Sequence, residues 1–534
     1  MKKKIAISFV IELILVGILY YFFLPALNPS SLGFWTFVGI ALGLFVLVSS
    51  LVVYGTSTTI RITNKKEDVP FFLVVPICGI ILIVVGIAIV NFICSPIFNA
   101  RSYSERIVVD ETGDFNKDIK EVNFNALPLL DRDSSEKLGD RVMGQMSEYV
   151  SQFYVSDQYT QINFNNEIIR VTPLEYSDLI KWIGNRKNGI QAYIKVNSVN
   201  GDTKLVKMDK GMKYMPSGYF NDNLARKLRF TYPTEIFGTE KFELDEDGKP
   251  YWVVPTYGYT GVGIKTRVTG VIILDPVTGE SKKYKIDEVP VWVDNAYNSS
   301  LIIEQVNDWG TYKGGFLNSI FAQKNVVNTT TGYNYLTMND DVYLYTGITS
   351  VLADESNLGF ILSNMRTGET VYYGVAGAEE YSAMASAEGQ VQQMKYTSTF
   401  PLLINLNGKA TYLVSLKDAA GLVKMYGFVD VADYQKVVVT DASKGIKEAA
   451  QNYLASYAGE ISSELLNTKK ITVKKISQAS IKGTTYYYIE DSESKKYKAS
   501  IEISENLPFI NNGDSIEIGY YESEGNITEI VKIN

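Results

Sequence analysis

Three stretches of this sequence are too long and too apolar to lie inside a water-soluble core. Residues 5–24 (IAISFVIELILVGILYYFFL), 32–54 (LGFWTFVGIALGLFVLVSSLVVY) and 71–94 (FFLVVPICGIILIVVGIAIVNFIC) each reach the ~20 residues that a helix needs to cross a bilayer. In lipid every backbone N–H and C=O must be paired within the segment, so residues 1–100 read as a three-helix transmembrane anchor. Lys2, Lys3 and Lys4 precede the first stretch. Arg61, Lys65 and Lys66 lie before the third, whereas residues 25–31 carry no charge. Positive loops stay on the cytoplasmic side. The N-terminus and residues 55–70 are therefore expected in the cytoplasm, and everything after about residue 97 is expected to be extracytoplasmic. The first stretch has a basic start but no small-residue cleavage site, and two more spans follow at once. It reads as a retained anchor of a multi-pass cell-membrane protein.

Composition narrows the chemistry of the rest. In 534 residues there is no His, which removes Ser-His-Asp triads, Cys-His dyads and imidazole metal sites. Cys78 and Cys94 both fall in the third stretch, so no disulfide framework or four-thiolate site is available outside. Residues 101–534 hold 45 basic and 56 acidic side chains, the wrong sign for a surface that holds nucleic acid by its phosphates. No cofactor and no metal ligand set is expected.

The exterior reads as mixed α+β. Residues 101–130 are polar and irregular, a juxtamembrane connector. Leu138, Val142, Met146, Tyr149 and Phe153 then fall at helical spacing, with Ser134 or Ser135 placed to cap. Short alternating strands follow, broken by helices near 176–187, 220–229, 299–308 and 378–393. One order recurs. A hairpin with an Asn-Gly-Asp turn at Gly201, a helix and a second hairpin at Gly248 are echoed by a hairpin with a Thr-Gly-Glu turn at Gly368, a helix and a hairpin at Gly408. The echo predicts an internal duplication, with a first α+β region over 131–310 and a second over 311–440. A linking helix over 441–465, stopped at Gly459, leads to five short strands in 466–534, expected to close as a small OB-like or SH3-like β-barrel. That segment carries nine basic and ten acidic residues, so a nucleic-acid groove is not expected.

The hairpins with their Thr-Gly-Glu turn and adjoining helix resemble PepSY-type modules of bacterial extracytoplasmic proteins. Longer strings, among them LGDRVMG, YTQINFNNEIIRVTPLEY and TYPTEIFGTEKFELDEDGKPYW, together with TFPLLINLNGKATYLVSLKDAAGLVKMYGFVDV, carry a second resemblance. It is to a family of membrane-anchored extracytoplasmic proteins of Gram-positive bacteria, loosely labelled Tat-pathway signal or cell-shape proteins, over roughly residues 1–440. The resemblance implies an envelope location. It implies no reaction, and no catalytic, cofactor-binding or metal-binding residues.

Several residues invite a functional reading and have a plainer one. Glu12 is an ionisable group inside a span, either a proton or ion relay or a carboxylate bonded within the helix bundle. Gly39 and Gly43 form a small-xxx-small pair suited to close helix packing. Asp245, Glu246, Asp247 and Gly248 lack the calcium-loop register and sit where a hairpin must turn. Asp110, Glu111 and Asp114 read as a solvated acidic patch. The Ser-x-x-Lys spacings Ser134–Lys137 and Ser492–Lys495 occur without the S-D-N and K-T-G strings that accompany that catalytic motif. The 37 Tyr could stack on sugars but fit strands equally well. The expected function is non-enzymatic. An extracytoplasmic domain would be presented for contact with an envelope protein or wall polymer, as scaffold, inhibitor or assembly factor. Two competing expectations are a hydrolase or transferase using carboxylates or a Ser-Lys pair, and a sensor or transport accessory using Glu12.

Overall fold

The computed structural model describes residues 2–54, 71–351, 353–457, 467–481, 484–504, 506–520 and 527–533. Arg61, Lys65 and Lys66 of the orientation argument, and Gly459, lie outside the described residues. The chain divides into two compact units, Met1–Asp114 with Asn125–Glu379, and Phe115–Phe124 with Glu380–Asn534.

In the first unit the three apolar stretches are helices, Lys2–Phe23, Leu32–Tyr54 and Phe71–Ile93, most of whose surface is left to lipid. Their polar ends are the problem such helices must solve, because the last four carbonyls of a helix have no partner within it. The exterior supplies partners. Arg226 Nε donates to the Tyr21 carbonyl at 3.3 Å, and its guanidinium lies 4.2 Å over the Tyr21 ring. Arg229, buried, donates to the carbonyls of Leu24 at 2.9 Å and Glu235 at 2.6 Å. Both cations also oppose the negative end of the first helix dipole. The loop that follows is laced to the same segment: Leu27 N donates to Pro233 O, and Asn28 Nδ2 to Thr234 O. A tight turn at residues 261–263 completes the seat. Asn91, in the last turn of the third span, accepts from Val262 N at 2.8 Å and donates to Val262 O, while Gly263 N donates to Ser30 O. Gly261 and Gly263 have φ of 65° and 67°, and a Cβ on Gly261 would come 2.9 Å from the Asn91 side-chain oxygen. Only glycine adopts this backbone cheaply and lets the turn come this close.

Beyond the anchor one strand order runs four times. A helix comes first, then two short strands that both pair with the same edge of a long strand, then two more antiparallel strands. In the first set the helix is Arg132–Gly144 and the long strand Glu167–Tyr176, followed by Ile190–Asn197 and Thr203–Met212. The second runs from Leu224–Thr231 through Pro250–Thr260 to Lys265–Leu274 and Ser281–Lys285. The third runs from Ser299–Tyr312 through Asp341–Ser350 to Ala353–Asn364 and Thr370–Tyr373. The fourth, in the second unit, runs from Glu380–Gln390 through Lys409–Lys417 to Val423–Asp430 and Val437–Asp441.

The turns explain why the pattern holds. The hairpin into the long strand has both central residues at positive φ in three sets (Asn165 and Asn166, Asn339 and Asp340, Asn407 and Gly408), the primed geometry whose twist matches paired strands. The turn before the last strand begins each time with Asn or Asp (Asn197, Asp275, Asn364, Asp430). Its side-chain oxygen accepts from the backbone N–H groups two and three residues on. Gly201 and Gly368 thus occupy equivalent turns of the first and third sets, and Gly248 and Gly408 mark the first hairpins of the second and fourth. Helix Ser299–Tyr312 buries Ile302, Val306 and Trp309 with Val327, Val342 and Ile361, so it belongs to the third sheet rather than to the region ending at 310.

In the second unit the helix Ile446–Tyr457 buries Ala449, Ala450, Tyr453 and Leu454. Five further strands pair in the circuit Asn467–Ile481, Thr484–Asp491, Lys496–Ser500, Thr528–Ile533, Ser515–Tyr520 and back to the first. The pairing of Lys496–Ser500 with Thr528–Ile533 is parallel. Ile471, Val473, Ile489, Ala499, Ile518 and Ile530 fill the interior.

Some expectations need correction. The connector 101–130 is not irregular: Val109–Gly113 is an edge strand pairing in parallel with Thr370–Tyr373, and Val122 N donates to Asn405 O. Both pairings span more than 250 residues, which local sequence cannot show. The long helix expected through Phe153 stops at Gly144. A separate turn Ser147–Val150 follows, and Phe153 opens a strand, because the glycine interrupts the apolar stripe. The cap is Asp131, whose side chain accepts from Ser134 N, not Ser134 or Ser135. The third strand of the C-terminal set ends at Ser500, ahead of a short 3-10 turn. Gly39 and Gly43 have no atom within 4 Å of where a Cβ would sit, whereas Gly79 comes 3.4 Å from the Leu42 side chain. Close helix approach therefore uses Gly79 and Leu42.

Replacing Arg229 with Ala leaves the carbonyls of Leu24 and Glu235 without their charged donor. In nanodiscs this should lower unfolding stability by about 2–3 kcal/mol, while Lys210→Ala, at an exposed site, should stay within about 0.5 kcal/mol. Thermal unfolding of the two variants checks it; equal curves would contradict the seat described above.

Candidate functional site

Helix Ser299–Tyr312 ends beside the sheet edge that the juxtamembrane strand Val109–Gly113 completes. Between them lies an open cleft of about 440 Å³, lined by Glu111, Trp309, Lys313, Lys324 and Tyr372 with Asn325, Val327 and Ile348. This is within the size range of small-molecule sites. The Trp309 and Tyr372 rings lie 6.4 Å apart, and Lys313 Nζ sits 4.0 Å over the indole and 3.7 Å from the Glu111 carboxylate. The cation is thus held by a ring and a carboxylate at once. Two ammonium groups beside an aromatic wall suit a polar or anionic group carrying a ring or sugar face. Glu111 is the carboxylate among the lining residues, so this cleft does not itself hold the carboxylate pair of a glycosidase. Its residues come from five elements separated by up to 260 positions, and no local motif marked them.

The buried carboxylates have a different task. Glu243, fully buried, accepts from the backbone N–H of Asp294 at 2.8 Å and of Asn295 at 3.0 Å. Asp294 accepts from Asn163 N at 2.7 Å, and Asn163 Nδ2 donates to Asp340 at 2.6 Å. Edge strands of the first and second sheets, the loop after the second and a turn of the third are joined by this one network. Burial pushes both Glu243 and Asp294 above the usual carboxylate range, and the Glu243 charge adds to the rise at Asp294. Glu175, in the first sheet, accepts from the Ser217 backbone N–H at 3.1 Å and from its hydroxyl. Burial pushes its carboxyl up to about 7. Neither group borders the cleft.

The residues that the sequence singled out are scattered. Glu12 is buried inside the first span, and neither carboxylate oxygen has a hydrogen-bond partner among the described residues. Asp245 accepts from the N–H groups of Asp247 and Lys249 and closes the hairpin, with Gly248 at φ 79°. Asp110 accepts from Thr112 within its own strand, while Glu111 faces the cleft. Ser134 is buried in the first turn of its helix, and Ser492 and Lys495 lie in a turn closed by the Asp491 side chain. Tyr487 is buried in the C-terminal core, and Tyr486 is covered by Lys498, 4.1 Å from its ring. No family model matches the chain, and no curated protein matches it.

Two outcomes follow. Glu175 binds its proton more tightly in the folded chain than at the ordinary glutamate value of 4.5. The unfolded chain releases that proton first as pH rises, so this group's contribution to stability is greatest below about pH 4.5. It falls as pH climbs to about 7 and is level above. Glu175→Gln should remove that slope and stabilise the protein at pH 7.5 on the order of 1–3 kcal/mol, measured by denaturant titration at pH 5 and 7.5. Glu12→Leu removes an unbonded polar group from the span and should raise stability in nanodiscs by about 1–3 kcal/mol; a loss on thermal unfolding would mean that Glu12 has a partner.

Proposed function

We propose that this chain is a membrane-anchored, non-enzymatic cell-envelope protein that presents an extracytoplasmic domain for contact with an envelope protein or a wall polymer. The observation that carries the reading is the seat of the anchor. The end of the first span, the uncharged loop 25–31, the end of the third span and exterior residues 226–263 are hydrogen-bonded to one another on one side of the membrane. Charge supports calling that side the outside, since Lys2 to Lys4 lie at the opposite end of the first span. A contact surface fixed to its anchor can report or constrain position at the membrane, as a scaffold, an inhibitor module or an assembly factor does.

The four helix-plus-sheet sets with their Asx-initiated turns support a repeated, PepSY-like module as the unit of the exterior, and duplication as its origin. The order of the C-terminal circuit and its single parallel pair favour an OB-like over an SH3-like barrel. With basic and acidic side chains nearly balanced there, protein contact is its proposed use. The cleft at Trp309 is the proposed point of polymer contact, because its ammonium groups and rings suit an anionic glycan.

Protease added to intact spheroplasts should digest residues after about 97 and spare the N-terminus. Crosslinking in intact membranes should then capture a discrete envelope partner or wall material, and Lys313→Glu should weaken polymer capture several-fold. Digestion of the exterior only after lysis would overturn the orientation. Turnover of a peptide or glycan substrate by the purified chain, lost on one Ser, Asp or Glu substitution, would overturn the non-enzymatic reading.

A further inference from the structure

Beyond the spans, exposed apolar side chains occur at several places, Val108, Val291 and Phe509 among them, but two groups of them are attached to the end of a span. The first is built on the connection between Glu167–Tyr176 and Ile190–Asn197, which holds a helix, Leu179–Asn185; the equivalent connections of the other three sets hold no helix among the described residues. Ile180 is 75 % exposed and Ile183 56 %, although a seven-residue helix gains nothing from showing isoleucine to water. Its Trp182 packs against Phe220, 58 % exposed, at 5.7 Å between rings. The Phe220 carbonyl accepts from Arg226 at 2.5 Å, and Arg226 reaches the Tyr21 carbonyl in the last turn of the first span. On the same helix as Arg226, Phe230 is 54 % exposed and lies 5.9 Å from the Tyr20 ring, one residue deeper in the membrane. These side chains therefore start at the level where the hydrocarbon ends. Lys181 lies within the helix, and Arg186 and Lys187 follow it.

The second place follows helix Ser299–Tyr312. Tyr312 meets Tyr103 of the juxtamembrane helix Pro96–Ser104 at 5.9 Å, and Tyr103 donates to the Cys94 carbonyl at the end of the third span. The turn just beyond exposes Leu317 by 69 %, Ile320 by 51 % and Phe321 by 79 %, between Lys313 and Lys324.

We infer that these two apolar knobs are feet that insert into the outer leaflet of the bilayer holding the anchor, so that the exterior stands on the lipid surface as well as on its spans. The occupant is lipid rather than protein because each knob is continuous with a span end. Each also carries lysines or arginines beside its apolar tip, the pairing that lets an interfacial segment bury hydrocarbon while its cations meet anionic headgroups. Both lie at the end of the exterior where the turn 261–263 is seated on the anchor. The opposite end of the strand Pro250–Thr260 carries the charged turn at Glu246, about 33 Å away at strand rise.

The test uses the full chain, with Cys78 and Cys94 replaced by Ser, in proteoliposomes of neutral and anionic phospholipid. Nitroxide labels are placed singly by Ile180→Cys, Phe321→Cys and, as reference, Glu246→Cys. Collision with apolar oxygen and with a water-soluble nickel chelate is read by electron paramagnetic resonance. Labels at 180 and 321 should collide more with oxygen and less with nickel than the label at 246. Collision rates equal to those at 246 would overturn the inference. So would protection from both reagents, which would mean that a second copy of the chain covers the knobs. All three sites are exposed, so the labels do not disturb a core.

Discussion

A membrane helix can end only where something other than lipid receives its last carbonyls, and in this protein those receivers are contributed by chain two hundred residues away. Arg226 and Arg229 stand at the C-terminal end of the first span, where orphan carbonyls and the negative end of the helix dipole both favour a cation. At the third span Asn91 ties its side-chain amide to both backbone groups of Val262, while Asn99 and Tyr103 donate to the carbonyls of Ile93 and Cys94. The exterior is thereby oriented by hydrogen bonds rather than hung on a tether. Within the first unit the cleft at Trp309 belongs to the same compact body as the spans. A guanidinium is well suited to the task because its fork can serve several carbonyls at once and keeps its charge.

The chain beyond the spans is made by repeating one economical solution. A sheet with a split first strand needs two kinds of turn, a primed hairpin and an Asx-initiated loop, and the same residue types return wherever the geometry returns. Between sets the joints are polar. Arg106, nearly buried, is held by Asp308, Glu304 and the Thr266 carbonyl, with Lys265 closing the same network. Glu243 and Asp294 join the first two sheets through backbone N–H groups, and the Asn163 side-chain amide carries the network to Asp340 of the third. Buried charges of this kind add little net stability but are costly to break, so they select one relative placement of the sheets over others. Glu243 and Asp294 form such a joint, away from the cleft at Trp309.

Much of the plan was legible before any coordinates. The spans were plain because twenty consecutive apolar residues have no other stable environment. The hairpins at Gly201, Gly248, Gly368 and Gly408 were plain because positive φ restricts the residue types. The same turns suggested a twofold echo, whereas the sheets recur four times. The paired hairpins were equivalent turns two sets apart, and the short strands Phe153–Val155, Ile236–Phe237 and Thr397–Ser398 leave too few residues for an alternation to be seen. The Asp131 cap and the break at Gly144 were misread for a related reason. A stripe of apolar residues continues across a glycine in sequence even when the helix does not.

The sequence by itself determined which solvent each part of the chain occupies, the helical spans and the places where strands must turn, because these follow from local hydrophobicity and backbone sterics. Only the tertiary structure decided that Arg226 and Arg229 close the end of the first span, that Asn91 holds the turn at Val262, that Val109–Gly113 completes a distant sheet, and that Glu111, Trp309, Lys313 and Tyr372 share a cleft. Those outcomes depend on unpaired backbone groups and charges finding partners hundreds of residues away, and a one-dimensional pattern carries no record of which partner each will meet.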